Sequence, residues 1–247
     1  MFRLKSFLYR LLGKKNYLLL MSKLFLVSYK MKLFKEGELK QHYAISKLIK
    51  AGDYVIDFGA NLGYYSYIFS EAAGKMGKIY SVEPIPLYQE VFKNNCAGKS
   101  NINLIPYALG AEEKVVEMAL PPGEIYRHGL MRVLDEGEKN SNFSYRVEMK
   151  DALEVFKDIP KLNYIKCDVE GFEKTILFRI KPIIEKYIPK VQVEIKDNKE
   201  EILDFFFSLG YKLYSFQDEK LIQIERNNEK AFSEDVWFVH IDDKVNL

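Results

Sequence analysis

Tyr54-Val-Ile-Asp-Phe-Gly-Ala-Asn-Leu-Gly63 is the stretch of sequence that decides the fold. Its first five residues are apolar and partly β-branched, apart from Asp57, which predicts a buried strand. Gly59 and Gly63 then bracket a tight turn, and the aromatic and apolar residues from Tyr64 to Ser70 predict a helix. A strand, a glycine turn and a helix in this order predict a ligand pocket at the carboxyl end of a parallel strand.

The spacing of the glycines narrows the choice of ligand. A dinucleotide-binding turn reads G-x-G-x-x-G, whereas this turn reads Asp57-x-Gly59-x-x-x-Gly63. Glycine lets the backbone approach a ligand closely because it has no Cβ. The acid on the strand and the different spacing favour a cofactor without a pyrophosphate, of which S-adenosylmethionine is the obvious candidate. An ordinary strand-to-helix turn that binds nothing is the alternative.

Glu83 lies where a ribose ligand is expected. It follows a second short apolar stretch, Lys78 to Val82, and stands about 20 residues past the glycine turn, a distance typical of the acid that holds ribose hydroxyls. Its carboxylate can accept hydrogen bonds from both hydroxyls at once. Because S-adenosylmethionine and nicotinamide cofactors both carry an adenosine ribose, Glu83 does not separate them.

The composition is that of one globular unit. The 247 residues suffice for one substantial core, or for one core with a small attachment. Cys96 and Cys167 have no metal-type spacing. Cys167 falls in a predicted buried strand, so a packed free thiol is favoured there, which suits a reducing compartment. His42, His128 and His240 are scattered along the chain, so their spacing predicts no zinc site and we expect no bound metal.

Charge is distributed unevenly along the chain. Residues 1–35 contain nine basic residues and no acidic one. The remaining chain carries 28 basic residues (37 less these nine) and 35 acidic ones, a net charge of −7. The acidic body argues against nucleic acid as a partner, whereas the basic segment is suited to contact an anionic surface.

Residues 1–37 are predicted to form a basic amphipathic helical extension of a domain that spans residues 38–247. The apolar stretches Leu18 to Met21 and Leu24 to Val27 are too short and too interrupted to span a bilayer. Two interpretations stay open: helices that lie on an anionic membrane surface, or helices packed on the body as a lid or as a contact within a homo-oligomer. We favour packing on the body. The protein is expected in the cytoplasm, peripheral to the inner face of the membrane under the first interpretation.

Strands and helices alternate through the body, which predicts an α/β fold with a parallel sheet and crossover helices. Val115 to Leu120 and Tyr145 to Met149 predict an inserted β-hairpin around a loop, residues 121–144, that is rich in glycine and charge. Tyr211 to Phe216 and Asp235 to Ile241 predict a closing antiparallel pair.

Acidic residues cluster after a later predicted strand, in Asp168-Val-Glu-Gly-Phe-Glu173. In open α/β sheets, ligands bind at this end of the strands. The dipole of the following helix explains Glu173, but it does not explain Asp168 at the end of an apolar strand. Glu194, at the end of the neighbouring strand, is expected to face the same crevice. Such carboxylates suit a cationic cofactor and supply a general base; magnesium binding is a less favoured alternative.

Together these elements resemble those of the FkbM-type methyltransferases. The motifs occur in the family's order over roughly residues 38–216: Asp57-Phe-Gly-Ala-Asn-Leu-Gly63, Glu83-Pro84, Tyr107-Ala-Leu-Gly110, Asp168-Val-Glu-Gly-Phe-Glu173 and Val191-Gln-Val-Glu-Ile195. The resemblance implies a Rossmann-like methyltransferase fold with a mostly parallel seven-stranded sheet in the order 3-2-1-4-5-7-6. It also implies S-adenosylmethionine as cofactor and O-methylation of a hydroxyl on a sugar, glycan, glycolipid or related small metabolite.

The resemblance further implies roles by position. The residues expected around the methionine part of the cofactor are Asp57, Gly59, Ala60, Asn61 and Gly63. Those expected at the ribose and adenine are Glu83, Pro84, Tyr107 and Ala108. Asp168, Glu170 and Glu194 would line the substrate side, with Asp168 also beside the cofactor.

Three residues are candidates for the base that deprotonates the acceptor: Asp168 first, Glu170 second and the loop residue His128 third. The family pattern has a histidine where this chain has Lys196, which leaves the identity of the base open.

Arg127 and Arg132 flank His128 and are suited to hold a phosphate or carboxylate on the substrate. Two other functions are weighed against the methyltransferase: a nicotinamide oxidoreductase, whose glycine spacing is missing, and a binding protein associated with a membrane surface.

Overall fold

A computed structural model describes residues 2–33, 42–43, 45–121, 128–134, 144–217, 220–228 and 235–243 of the chain. The helices in these ranges are α1 (Phe2–Lys30), α2 (Tyr64–Ala73), α3 (Pro86–Asn95), α4 (Ala152–Phe156), α5 (Glu173–Arg179), α6 (Lys181–Tyr187) and α7 (Lys199–Ser208). A single 3₁₀ turn covers His128–Leu130.

The strands are β1 (Tyr54–Phe58), β2 (Lys78–Val82), β3 (Ile102–Ile105), β4 (Ala108–Gly110), β5 (Lys114–Ala119), β6 (Arg132–Val133), β7 (Ser144–Asp151), β8 (Tyr164–Cys167), β9 (Lys190–Glu194), β10 (Tyr211–Gln217), β11 (Lys220–Gln223) and β12 (Asp235–His240). Apolar runs form the central strands: all four residues of β8 are buried, as are the last four of β1. Strands covered on both faces in this way are typical of a parallel sheet packed between helices.

The main sheet has eight strands in the order β11-β10-β12-β9-β8-β1-β2-β3. The five strands from β9 to β3 are parallel, and β12, β10 and β11 add in antiparallel fashion. The order implied by the resemblance is contained in this sheet, but β11 makes an eighth strand at the edge. Hydropathy did not distinguish this short strand from the loop around it.

The inserted hairpin proves to be part of a second, four-stranded sheet in the order β4-β7-β5-β6. β5 and β7 form the antiparallel pair, with Lys114 opposite Met149. The prediction of a simple hairpin missed β4, which pairs in parallel with β7. Such a pairing between distant segments has no local signal in the sequence.

The N-terminal segment forms one long helix with a kink, because Gly13 has a non-helical backbone (φ 73°, ψ 163°). After the kink, α1 packs on the body and buries Tyr17, Leu18 and Leu26. Ser22 Oγ donates a hydrogen bond to Asn95 Oδ1 at 3.1 Å, and the Asn95 amide donates to the Leu62 carbonyl at 2.8 Å. The helix is thereby linked through α3 to the glycine turn. None of the helices in the described ranges combines the length with the hydropathy that crossing a bilayer requires.

Gly59 allows the turn after β1 to lie directly against the end of β8. Its φ is +77°, and a Cβ at this position would overlap the carbonyl oxygen of Asp168. Gly63 has φ +87°, and a Cβ there would lie 2.8 Å from the Phe92 ring. The missing side chains of these glycines thus make room for neighbouring protein, and Gly59 also lies on the cavity wall described below.

Replacing Gly59 with alanine is therefore expected to lower the free energy of unfolding by about 3 kcal/mol, from left-handed backbone strain and steric overlap together. Gly98→Ala is the matched control, since Gly98 has φ +81° and nothing within 4 Å of the added Cβ. That control should cost about 1 kcal/mol. Urea unfolding measures both variants, and equal losses would show that the contact between the Gly59 turn and Asp168 does not constrain the fold.

Candidate active site

A cavity of about 800 Å³ opens at the carboxyl ends of β1, β2, β8 and β9. This is the edge of an open α/β sheet at which ligands bind. The predicted site residues on its wall are Gly59, Ala60, Asn61, Glu83, Pro84, Ala108, Asp168, Glu170 and Glu194. Residues from five separate segments of the chain therefore converge on one space.

Asn61 lies in the glycine turn with a left-handed backbone (φ 48°), a conformation that asparagine tolerates better than most residues. Its backbone N–H donates a hydrogen bond of 2.9 Å to Glu83 Oε2. Its side-chain Oδ1 is buried and has no hydrogen-bond partner in the protein. A buried acceptor without a partner on a cavity wall is costly unless a ligand donates to it.

Glu83 is held by the backbone on both sides. Its Oε1 accepts the Ile85 N–H at 2.8 Å and its Oε2 accepts that of Asn61. Burial raises the pKa of Glu83 to about 8, although both backbone N–H groups favour the ionised form. Each carboxylate oxygen accepts more than one hydrogen bond, so both oxygens keep a lone pair for a ligand.

Three residues expected to touch the cofactor are not on the cavity wall. Asp57 is fully buried beneath the turn, where its Oδ2 accepts the Ser66 hydroxyl at 2.5 Å. Gly63 faces the Phe92 ring, and Tyr107 is also absent from the lining. The geometry therefore assigns Asp57 and Gly63 to support of the turn, because the Asp57 side chain points into the protein and the Cα of Gly63 packs against the Phe92 ring.

The wall formed by the ends of β8 and β9 carries two ion-paired groups. Lys166 Nζ, on β8, donates to Asp168 Oδ2 at 2.8 Å and is almost completely buried. Lys196 Nζ lies 2.8 Å from Glu170 Oε2 and 2.9 Å from Glu194 Oε2. We call these three carboxylates and two ammonium groups the polar floor: Lys166, Asp168, Glu170, Glu194 and Lys196. The pairing of opposite charges offsets the cost of partly burying each of them.

The pKa values of Asp168 and Glu194 are shifted in opposite directions. Burial alone would raise the pKa of Asp168, but the Lys166 ammonium holds it below its usual value. Burial and the neighbouring Asp168 carboxylate raise the pKa of Glu194 to about 8, and the two carboxyl groups share a hydrogen bond. A group with a pKa near the working pH is the better general base. The structure therefore favours Glu194 over Asp168, which the sequence had placed first.

The same carboxylates bear on metal binding. Among the described residues, Asp168, Glu170 and Glu194 each offer one oxygen within 4.8 Å of the others, a spacing that could hold a cation. Lys196 already places its ammonium against two of them. The charge that a metal ion would supply is thus provided in part by a side chain of the protein.

The loop candidates are only partly described. The side chain of His128 and all of Arg127 lie outside the described residues, so the third-ranked base stays a prediction. Arg132 is described, on β6, where its Nη1 donates to the Val133 carbonyl at 3.3 Å. Arg132 is not on the cavity wall, although its neighbours Met131 and Val133 are.

An aromatic wall, made of Phe25, His42, Tyr64 and Tyr65, lines the cavity and was missed in the sequence. The Phe25 ring lies 4.3 Å from Tyr64 and 5.1 Å from His42, and His42 lies 4.5 Å from Tyr65, between ring centroids. Phe25 belongs to α1, which also contributes Tyr17, Leu18 and Met21 to the lining. The N-terminal helix is therefore part of the site.

The FkbM methyltransferase domain, as a sequence family, matches residues 57–213 of the chain. This range includes the glycine turn, Glu83 and the polar floor. It leaves out α1.

Two curated proteins are similar to parts of the chain. Hexuronic acid methyltransferase AglP of Haloferax volcanii is 26% identical over 126 residues, which is 51% of this chain and 48% of that protein. Protein-L-isoaspartate O-methyltransferase of Methanococcoides burtonii is 36% identical over 59 residues, 23% of this chain and 29% of that protein. The chain thus matches less than half of the length of either relative.

Among solved structures, an FkbM methyltransferase from Methylobacillus flagellatus has a TM-score of 0.48 and 14% identity. The similarity covers 75% of this chain and 43% of that one.

Proposed function

The chain belongs to the FkbM methyltransferase family, whose members use S-adenosylmethionine, and from this premise we propose that it methylates a hydroxyl group of a sugar. The sugar would be free or part of a glycan or glycolipid. The observation that carries the proposal is the cavity itself. It brings together a cofactor-type turn with free acceptors and a carboxyl pair of unequal pKa.

The turn fits the cofactor that the family uses. Asn61 Oδ1 is an acceptor without a partner, as the ammonium group of the methionine part requires. Glu83 has a lone pair left on each oxygen, which suits the two ribose hydroxyls. Apolar groups of Ile85, Ala108 and Leu109 line the nearby wall and suit an adenine ring. Asn61 and Glu83 would hold the cofactor.

The rest of the cavity wall suits a sugar. The aromatic wall offers ring faces against which the C–H face of a pyranose can pack, while the polar floor offers acceptors and donors for its hydroxyls. The similarity to a hexuronic acid methyltransferase supports this class of acceptor. It also makes an acidic sugar the first compound to test.

Glu194 is the group that would remove the proton. An alcohol is a weak nucleophile while protonated, so a base must take its proton as the new bond forms. Lys166 keeps Asp168 ionised, and Asp168 in turn raises the proton affinity of Glu194. Asp168 and Lys196 would orient the acceptor and the base. The bound cofactor supplies an activated methyl group.

The test is transfer of radiolabelled methyl from S-adenosylmethionine to paired acceptors that differ in one group, such as glucuronic acid and glucose, each free and in a glycolipid. We expect label in a sugar, resistant to mild base because an ether resists hydrolysis. Label that is lost in mild base would indicate a methyl ester of a carboxyl group instead. So would methylation that takes place on the sugar carboxylate itself. Either result would contradict the proposed hydroxyl acceptor.

A further inference from the structure

An apolar stripe runs along the side of α1 that faces solvent. Its members after the Gly13 kink recur every three or four residues, so they share one face of the helix: Leu20, Leu24, Val27 and, just past the helix, Met31. Leu24 is 54% exposed. Before the kink, Phe7 and Leu11 have the same spacing and are also exposed. The residues that pack on the body, such as Leu18 and Leu26, lie on the opposite side.

Basic residues flank this stripe. Arg10, Lys23, Lys30 and Lys32 are exposed, and the sequence has no acidic residue before Glu36. The rest of the chain has a net charge of −7, so the net positive charge lies in residues 1–35. A helix with leucine, phenylalanine and methionine on one side and lysine and arginine beside them is the type that lies in the headgroup region of an anionic bilayer.

We propose that the outer face of α1 docks on an anionic phospholipid membrane. Charge complementarity favours lipid over a second copy of the chain. In a two-fold dimer built on this face, each basic stripe would meet another basic stripe. The apolar stripe is one face wide, which suits insertion to the acyl boundary rather than passage through the bilayer.

Docking would place the cavity close to the membrane. The inner face of the same helix contributes Tyr17, Met21 and Phe25 to the cavity wall. An acceptor sugar attached to a lipid would then approach along the surface on which the enzyme lies. This consequence rests on the proposed function, whereas the docking does not.

Co-sedimentation of the full chain with vesicles tests the proposal without any activity readout. We expect binding to mixed phosphatidylcholine–phosphatidylglycerol vesicles and little to phosphatidylcholine alone, with binding weakened by added salt. Leu24→Glu or Val27→Glu should weaken binding by about tenfold, because each removes an apolar anchor and adds a repelled charge. These side chains are exposed, so the melting temperature should stay close to that of the wild type.

Met76→Glu is the control, because Met76 is 83% exposed in the loop before β2, at the opposite end of the sheet from the cavity. It should bind as the wild type does. Absence of binding to the anionic vesicles, equal binding to both kinds, or undiminished binding of Leu24→Glu would overturn the proposal. The proposal would also be overturned if the wild type sediments as a dimer, Leu24→Glu sediments as a monomer, and both bind the anionic vesicles equally.

Discussion

Glu194→Gln is expected to lower kcat by about a hundred- to ten-thousand-fold, the range over which a general base contributes. The affinity for S-adenosylhomocysteine should change little, because the proposed cofactor contacts are made by Asn61 and Glu83. Glutamine has nearly the same shape and can still donate a hydrogen bond to Asp168. The substitution therefore removes the proton acceptor while it leaves the polar floor filled.

If Glu194 is the base, the methyl-transfer rate should depend on pH in a defined direction. The pKa of Glu194 is raised to about 8, so the carboxyl group is protonated and inactive as a base below that pH. The wild-type rate should accordingly rise with pH and level off above about 8. Lys196 lowers the pKa of Glu194 by its hydrogen bond, so Lys196→Met should move this rise to higher pH. The residual rate of Glu194→Gln should lack the rise.

Glu201→Gln is the control for Glu194→Gln, since Glu201 is an exposed residue of α7 whose carboxylate binds Lys174 at 3.3 Å. It should retain the wild-type rate and pH profile. If Glu194→Gln kept both the rate and the rise near pH 8, the base would be another group, with Asp168 the next candidate.

Glu83→Gln is expected to weaken S-adenosylhomocysteine binding by about a hundredfold, or about 2.7 kcal/mol. One carboxylate oxygen becomes an NH₂ group, which cannot accept from a ribose hydroxyl and opposes the backbone N–H of Asn61 or Ile85. The loss should appear in the cofactor KM, with kcat at saturating cofactor largely retained. Isothermal titration calorimetry measures the affinity directly.

Glu90→Gln serves as the control for Glu83→Gln, because Glu90 lies nearby on α3, is half exposed and pairs with Lys15. Its affinity for S-adenosylhomocysteine should match the wild type. Because Glu83 also supports the turn, thermal melting should confirm that the Gln variant is folded at the titration temperature. A folded Glu83→Gln protein with unchanged affinity would remove Glu83 from the cofactor site.

The sequence predicted which residues meet at one edge of the sheet, because their positions follow from local patterns and one general rule. The glycine turn, Glu83 and Asp168 come directly after apolar strands, and Glu194 ends another. The carboxyl ends of parallel strands meet at one edge of a sheet. That rule places the residues at the edge. It does not say where each side chain points, so the burial of Asp57 could not be predicted.

The side-chain contacts of the polar floor depend on the register between β1 and β8, which the sequence does not give. Lys166 lies opposite Asp57 in the pairing of β1 with β8, and its ammonium reaches Asp168 two residues later. A lysine inside an otherwise apolar strand was a signal that could have been used, since lysine is rarely buried without a partner. The wall contributed by Phe25 had no such signal, because it depends on the docking of α1 on α3.

The most direct test of the account is calorimetric titration of the purified chain with S-adenosylhomocysteine and, in parallel, with NAD. The account predicts binding of S-adenosylhomocysteine in about the micromolar range, a free energy near −8 kcal/mol, and no detectable binding of NAD. Binding of NAD with no binding of S-adenosylhomocysteine would contradict the cofactor assignment and the proposed methyl transfer with it.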